Sequence, residues 1–169
     1  MNKQKRGSVA LTSWVQAMQQ LGEYVVGFQE LEATMNSCIS ALVSRDKHVG
    51  QVLTAQMSFR SKLDVLVSLL LYRLGTTRLP ASLADVIKEI GDCEQRRNTL
   101  VHSLWDIHLK DPEFVKRVKV RCSRRSGLAR SEELVLPDDL YDEARSFENI
   151  AERLSEEIEE HLPKVAGRM

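Results

Sequence analysis

The chain has 169 residues, of which 43% are hydrophobic and 28% are charged, and its 24 basic residues balance 24 acidic ones. Such a composition predicts one globular domain, and because aromatic residues make up only 5% of the chain, aliphatic side chains must build its core. The zero net charge excludes a global field that would draw the chain onto nucleic acid or a membrane, so any electrostatic preference has to be local.

Cysteine use and hydropathy indicate the cytoplasm. Cys38, Cys93 and Cys122 form no CxxC pair and no zinc-binding pattern, which favours reduced thiols. The basic start of the chain runs into polar residues, which argues against a signal peptide. The longest apolar run, residues 65–71, is far shorter than the roughly 20 residues needed to cross a bilayer. We therefore expect a cytoplasmic protein without a membrane span.

Apolar periodicity predicts the first two helices. After a flexible N-terminus over residues 1–11, helix one starts at Thr12 or Ser13 and ends near Val43. A polar link over residues 44–50 leads to helix two, residues 53–74, which ends at Gly75. The predicted apolar stripe of helix one is Trp14, Met18, Leu21, Val25, Phe28, Leu31, Met35, Ile39 and Leu42.

The second half of the chain adds two helices and a change of pattern. Helix three follows Pro80, with Ser82 and Asp85 arranged like a capping box. Residues 112–136 alternate around a turn, which predicts a β-hairpin or an ordered loop. Pro137 then opens a last helix with apolar residues at heptad spacing.

These elements together predict an all-α fold. It is an antiparallel bundle of four to five helices, with the small hairpin or loop inserted before the last helix. The domain is expected to occupy residues 12–162, followed by a C-terminal tail over residues 163–169.

The segment 94–105, with the sequence EQRRNTLVHSLW, carries the most informative pattern of the chain. At about 100° per helical residue, Arg97 lies beside a polar strip and Arg96 turns outward. The strip consists of Glu94, Asn98, His102 and Trp105. A guanidinium can hold a phosphate bidentately, and an imidazole can move protons near neutral pH. The conjunction predicts phosphodiester chemistry without a metal.

Each of these residues also has a structural interpretation, which the sequence leaves open. Arg97 fits a salt-bridged arginine at a helix–helix joint, and Trp105 fits a core or interface anchor. Asn98 and His102, four residues apart, fit an ordinary surface or cap pair. Glu94 fits a partner of Asn98 or Arg97, or a solvated acid.

The hexapeptide Arg97-Asn98-Thr99-Leu100-Val101-His102 resembles the signature of the HEPN superfamily. In that signature an arginine and a polar residue precede a histidine, which follows the arginine by some four to six positions on a late helix. The continuation Leu-Val-His-x-x-Trp is similar to small HEPN-like proteins. The resemblance covers one helix closely, and the other helices agree with the family in their order.

The resemblance implies a metal-independent endoribonuclease that leaves a 2′,3′-cyclic phosphate. His102 would be its general base or acid, Arg97 would stabilise the charge on the phosphorane, and Asn98 would fix the imidazole or the phosphate. It also implies a homodimer whose two motifs line one cleft, acting on RNA in defence, toxin or stress biology. Toxin-type members have partner proteins such as an antitoxin, and they often carry a tyrosine where this chain has Leu104.

Positive charge concentrates in the predicted hairpin. The basic residues there are Lys116, Arg117, Lys119, Arg121, Arg124 and Arg125. Three interpretations remain open for them: contact with an RNA backbone, a solvated strand edge, and pairing with the acidic last helix.

Two rival functions accompany the enzyme hypothesis. One is a non-catalytic HEPN-like interaction module, and the other is a helical nucleic-acid-binding regulator without turnover. The sequence has no HExxH, no Gly-rich phosphate loop and no GxSxG elbow, so neither a metal nor another cofactor is expected.

Overall fold

A computed structural model describes residues 3–44, 46–123 and 127–162, which form five helices and three strands. In chain order they are α1 Lys3–Val43, α2 Lys47–Thr54, α3 Phe59–Leu74, α4 Ala81–Val101, β1 Leu104–Ile107, β2 Val115–Ser123, β3 Gly127–Val135 and α5 Pro137–His161. The mainly helical architecture is confirmed, and the predicted hairpin is a three-stranded antiparallel sheet. The predicted tail over residues 163–169 lies outside the described residues. Within the described ranges, no helix has the length and apolar character needed to cross a bilayer.

Several helix boundaries differ from the prediction. α1 begins at Lys3 rather than at Thr12 or Ser13, so the residues predicted as a flexible N-terminus are helical from Lys3 onward. The predicted polar link over residues 44–50 is helical from Lys47 onward, since α2 covers Lys47–Thr54, and predicted helix two begins at Phe59 rather than at residue 53. The reason is that Asp46 and Ser58 act as N-caps, each accepting a backbone N–H with its side chain. The predicted end of α3 at Gly75 is confirmed, because this glycine has a φ of 65°.

The start of α4 is also different. Ser82 lies inside the helix, one residue after its start, so it is not the predicted N-cap. Its hydroxyl donates a hydrogen bond of 2.6 Å to Glu157 of α5.

The chain divides into two compact units. The first comprises Met1–Val26 and Arg96–Arg145, and the second comprises Gly27–Gln95 and Ser146–Met169. The first unit contains the sheet, and the second contains α2 and α3.

The buried seam of α1 follows a strict heptad. Its two rows are Ala10, Ala17, Tyr24, Leu31 and Cys38, and Phe28, Met35 and Leu42. The predicted stripe is therefore confirmed from Phe28 onward. Before Phe28 the residues of the predicted stripe, such as Met18 and Leu21, are half-buried, and the fully buried positions there are Ala10, Ala17 and Tyr24. The helix follows the 3.5-residue period, and small side chains fill the seam where that period requires them.

The sheet of the first unit has the strand order β1-β2-β3. Val118 opposes Leu104 on one side and Glu132 on the other, and Val115 opposes Val135. Alternation along the strands gives two faces. We call the inner face Trp105, Ile107, Val115, Arg117, Lys119, Ser131, Glu133 and Val135. We call the outer face Leu104, Val118, Val120, Leu128, Arg130, Glu132 and Leu134.

The second unit contains an aromatic and aliphatic core. The ring of Phe28 packs on Phe59 at 4.6 Å between centroids, and it meets Phe147 edge-on at 5.9 Å. Along α5, which runs from the first unit into the second, the predicted heptad seam is confirmed at its large residues Leu140, Phe147, Leu154 and Ile158, which are buried, and its alanines are half-buried.

α2 approaches α1 very closely at Gly50. A Cβ atom on this glycine would lie 1.9 Å from the Ser40 side-chain oxygen and 2.4 Å from the Ser40 Cα. Only a residue without a side chain fits there.

The buried ion pair of the second unit joins Lys62 to Glu32 at 2.6 Å. Only 8% of the Lys62 side chain is exposed, against 28% of the Glu32 side chain. Removing the Glu32 carboxylate would therefore leave the Lys62 ammonium buried without a counter-charge and with little access to water.

We expect Glu32→Gln to lower the free energy of unfolding by about 3 kcal/mol, since it leaves the buried ammonium without its counter-charge. Lys62→Met, which keeps the volume, should change stability by less than about 1 kcal/mol. Urea denaturation measures both variants, with Glu30→Gln at an exposed neighbouring position as the control. Equal losses in the Glu32 and Lys62 variants would contradict the interpretation.

Thiol labelling at neutral pH should distinguish two cysteines. Cys122 is exposed, whereas Cys38 is buried, and burial raises the pKa of the Cys38 thiol to about 12. A maleimide should therefore modify Cys122 in the folded protein and Cys38 only after unfolding, because the thiolate is the reactive form. Peptide mass spectrometry locates the label, and Cys122→Ser should remove the rapid reaction.

Candidate functional site at the end of α4

The hexapeptide motif lies at the C-terminal end of α4, in the first unit from Arg96 onward. α4 ends at Val101, so His102 lies in the turn that follows, and β1 begins at Leu104. The His102 amide still donates to the Asn98 carbonyl at 3.4 Å. The predicted spacing of four residues between Asn98 and His102 therefore persists in the last turn.

Trp105 corrects the predicted helical strip. It lies on β1 rather than on the helix, because residues 104–107 pair with β2. Its indole N–H donates to the Leu100 carbonyl at 3.1 Å. Trp105 is half-buried and serves as a cap for the helix end.

The last carbonyl groups of α4 are satisfied by the sheet and the turn. The Lys119 ammonium donates to the Asn98 carbonyl at 3.2 Å, and the Ser103 hydroxyl donates to the Thr99 carbonyl at 2.5 Å. Together with the Trp105 indole, these donors supplement the backbone bonds of the last turn, where the His102 and Ser103 amides donate over a distance of 3.4 Å. A cation is also favourable there because the helix dipole is negative at this end.

The surroundings of Lys119 disfavour the charged form of its side chain. Desolvation lowers the pKa of its ammonium, and the nearby positive charges of Arg121 and Arg117 lower it further. The hydrogen bond to Asn98 holds this lysine against the motif.

Arg97 and Asn98 are brought into direct contact. The Arg97 guanidinium donates from Nη1 to the Asn98 side-chain oxygen at 3.0 Å, and both residues are half-buried. His102 is exposed in the adjoining turn, and Glu94 is half-buried on the part of α4 that belongs to the second unit. The arrangement offers a positioned guanidinium and a solvent-accessible imidazole on one short segment.

Arg96 does not face outward as predicted. Its guanidinium binds Glu143 of α5 through three hydrogen bonds of 2.9–3.2 Å, and Glu133 of β3 lies 3.8 Å away. The hydrogen bond to Glu143 raises the pKa of Arg96 above its ordinary value. The two acids lie too far along the chain from Arg96 for any helical spacing to have revealed the pair.

The buried Arg117 completes this charge network. Its guanidinium forms two hydrogen bonds to Glu133, and its Nη1 donates to the Ser103 hydroxyl at 3.0 Å. Glu133 therefore lies between two arginines, and the network joins α4, the turn, two strands and α5.

The basic hairpin is accordingly divided between structural and exposed residues. Arg117 and Lys119 have partners within the chain, and Lys116 lies 3.6 Å from Asp106 of β1. Arg121 is exposed, while Arg124 and Arg125 lie outside the described residues. The pairing involves neighbouring strands and the end of α4 more than the acidic last helix.

No protein-family model, curated protein or solved structure matches this chain. Among the described residues, no group of three or more histidine, cysteine or acidic side chains could hold a metal ion. The resemblance to the HEPN superfamily therefore rests on the hexapeptide and its helical context alone.

Truncating Arg117 should destabilise the protein more than truncating Arg121. Arg117→Met removes a buried guanidinium and leaves Glu133 and Ser103 without its donors, at an expected cost of about 2 kcal/mol. Arg121→Met, at an exposed position of the same strand, should stay within about 0.5 kcal/mol of the parent. Thermal and urea unfolding compare the two, and equal effects would contradict the network described above.

Proposed function

We propose that the protein is a metal-independent endoribonuclease of the HEPN type. The observation that carries the proposal is the Arg97–Asn98 side-chain hydrogen bond of 3.0 Å, together with the exposure of His102 in the turn that directly follows α4. Such a pair supplies a held positive charge and a proton-transfer group on one segment, which are the two requirements of RNA transesterification.

In the proposed reaction, the ribose 2′-hydroxyl attacks the adjacent phosphorus. The O2′–P bond forms and the P–O5′ bond breaks, which leaves a 2′,3′-cyclic phosphate and a 5′-hydroxyl. His102 removes the proton from the 2′-hydroxyl or delivers one to the departing O5′. Arg97 stabilises the charge on the phosphorane, and Asn98 positions the guanidinium.

The same resemblance supplies the biological setting of the proposal. In this proposal the protein is a cytoplasmic homodimer in which the motifs of both copies face one cleft. Each copy then contributes one imidazole to an acid–base pair. Its substrate is RNA, and its role is in defence, toxin action or stress, with a protein partner such as an antitoxin. Glu94 has a supporting role, whereas Trp105 supports the site through the helix end that it caps.

A non-catalytic interaction module is the second candidate. The observation that favours it is the outer face of the sheet, where large apolar side chains are exposed. These are Leu104, Val120, Leu128 and Leu134, with exposed fractions of 69%, 49%, 75% and 43%. Exposed apolar groups on one sheet face are typical of surfaces that bind another protein.

An RNA-cleavage assay in EDTA tests the enzyme. The purified protein should cut single-stranded or structured RNA and leave cyclic-phosphate ends. His102→Ala and Arg97→Ala should each lower the rate by about 100-fold or more, because each removes one group that acts on the transition state. Mass spectrometry of the products identifies the ends.

Two control variants make the same substitutions, one arginine and one histidine to alanine, at positions outside the motif. Arg60→Ala and His48→Ala remove exposed side chains from α3 and α2 and should leave the rate unchanged. Circular dichroism verifies that all four variants are folded. RNA that is bound but never cut would favour the regulator, and RNA that is neither bound nor cut would favour the interaction module.

A further inference from the structure

β3 is an edge strand in the described part of the sheet, whose order is β1-β2-β3. From Gly127 to Glu132 every residue is exposed, and 75% of Leu128 is accessible to solvent. An exposed strand of this length presents backbone N–H and C=O groups that can pair with another strand.

Pairing with a second copy of β3 is strongly constrained by symmetry. A twofold dimer that continues an antiparallel sheet has its axis perpendicular to the sheet, midway between the two strands. One residue of β3 must then lie opposite its own counterpart, and that residue fixes every other pair.

Only one such register brings opposite charges together. With Ser131 on the axis, Arg130 lies opposite Glu132 of the second copy, and this pair occurs twice. Leu128 then lies opposite the second copy's Leu134, also twice. Each outer-face residue of β3 thus lies opposite either the opposite charge or another leucine.

The neighbouring registers lose this match. With Arg130 on the axis, two arginines oppose each other, and with Glu132 on the axis two carboxylates do so. A shift of the axis to Ala129 or Glu133 leaves Arg130 or Glu132 opposite leucine. Like charges directly opposite each other are unfavourable, so the sequence of β3 selects the Ser131 register.

The intramolecular contacts are compatible with the same register. Within one copy the Arg130 guanidinium already donates to Glu132 at 2.6 Å on the outer face. In the dimer the second copy's pair would lie alongside, with reversed order, and would make an alternating cluster of four charges. The exposed Leu128 and Leu134 would cover each other on either side of it.

We propose that two copies of this chain pair through β3 with Ser131 on the twofold axis, forming one continuous antiparallel sheet. This interface is separate from the shared-cleft dimer of the proposed ribonuclease, because His102 adjoins β1, at the opposite edge of the sheet. Neither interface depends on the other, and loss of RNA cleavage would not affect the β3 pairing.

Disulfide crosslinking tests the register. In a Cys122→Ser background, Ser131→Cys places two thiols opposite each other, at a Cα separation that a disulfide accepts. Mild oxidation should convert this variant to a covalent dimer. Ala129→Cys is the matched control, because Ala129 is exposed and shares the inner face with Ser131, and its counterpart would lie about 13 Å away along the strand. Failure of the Ser131 variant to crosslink, or equal crosslinking of both variants, would overturn the proposal.

Charge exchange tests the pairing without a new covalent bond. Arg130→Glu and Glu132→Arg each place like charges opposite each other, and each should weaken self-association by about tenfold or more. An equimolar mixture of the two variants should recover the dimer, because every cross-strand pair is then of opposite charge. The intramolecular pair stays broken in both chains, so recovery reports contact between copies.

Sedimentation velocity over a concentration series, in reducing buffer, measures the association. Wild-type dimers, weakened single variants and a recovered mixture would support the proposal. A wild-type chain that stays monomeric throughout the series, or single variants that associate as the wild type does, would overturn it.

Discussion

The carbonyl groups at the end of α4 are the constraint on which the motif depends. A helix that stops at Val101 leaves its last carbonyls short of backbone donors, and the Asn98 and Leu100 carbonyls receive only long bonds of 3.4 Å from the amides of His102 and Ser103. The ammonium of Lys119, the hydroxyl of Ser103 and the indole of Trp105 supply additional donors. The sheet therefore does more than extend the fold, because it holds the segment that carries Arg97, Asn98 and His102 in a defined turn.

The charge network around Glu133 also stabilises the end of α4 and the turn that follows it. Two arginines share this carboxylate, and one of them also binds Glu143 of α5. The basic residues of the hairpin resemble a nucleic-acid-binding surface in the sequence. Some of them instead form ion pairs and hydrogen bonds within the chain. Because Lys116, Arg117 and Lys119 have partners within the chain, fewer basic side chains of the described hairpin are available to an external ligand.

Sequence periodicity predicted the helices better than their ends. The stripe from Phe28 to Leu42 and the seam of α5 follow from spacing alone. The buried positions of Ala17 and Tyr24 follow only if the heptad is given more weight than the small size of alanine and the hydroxyl of tyrosine. At the site, the adjacency of Arg97 and Asn98 was predictable because it is local. The role of Arg96 and the strand position of Trp105 were not, since both depend on partners brought close by folding.

The close approach at Gly50 has a consequence for how this chain can diverge. The exposed side of α2 carries two valines and a leucine whose replacement would disturb no buried contact. The side of α2 toward Ser40, in contrast, has no room for a Cβ atom. In descendants of a common ancestor, a glycine seven residues after the end of α1 should persist while its surroundings drift.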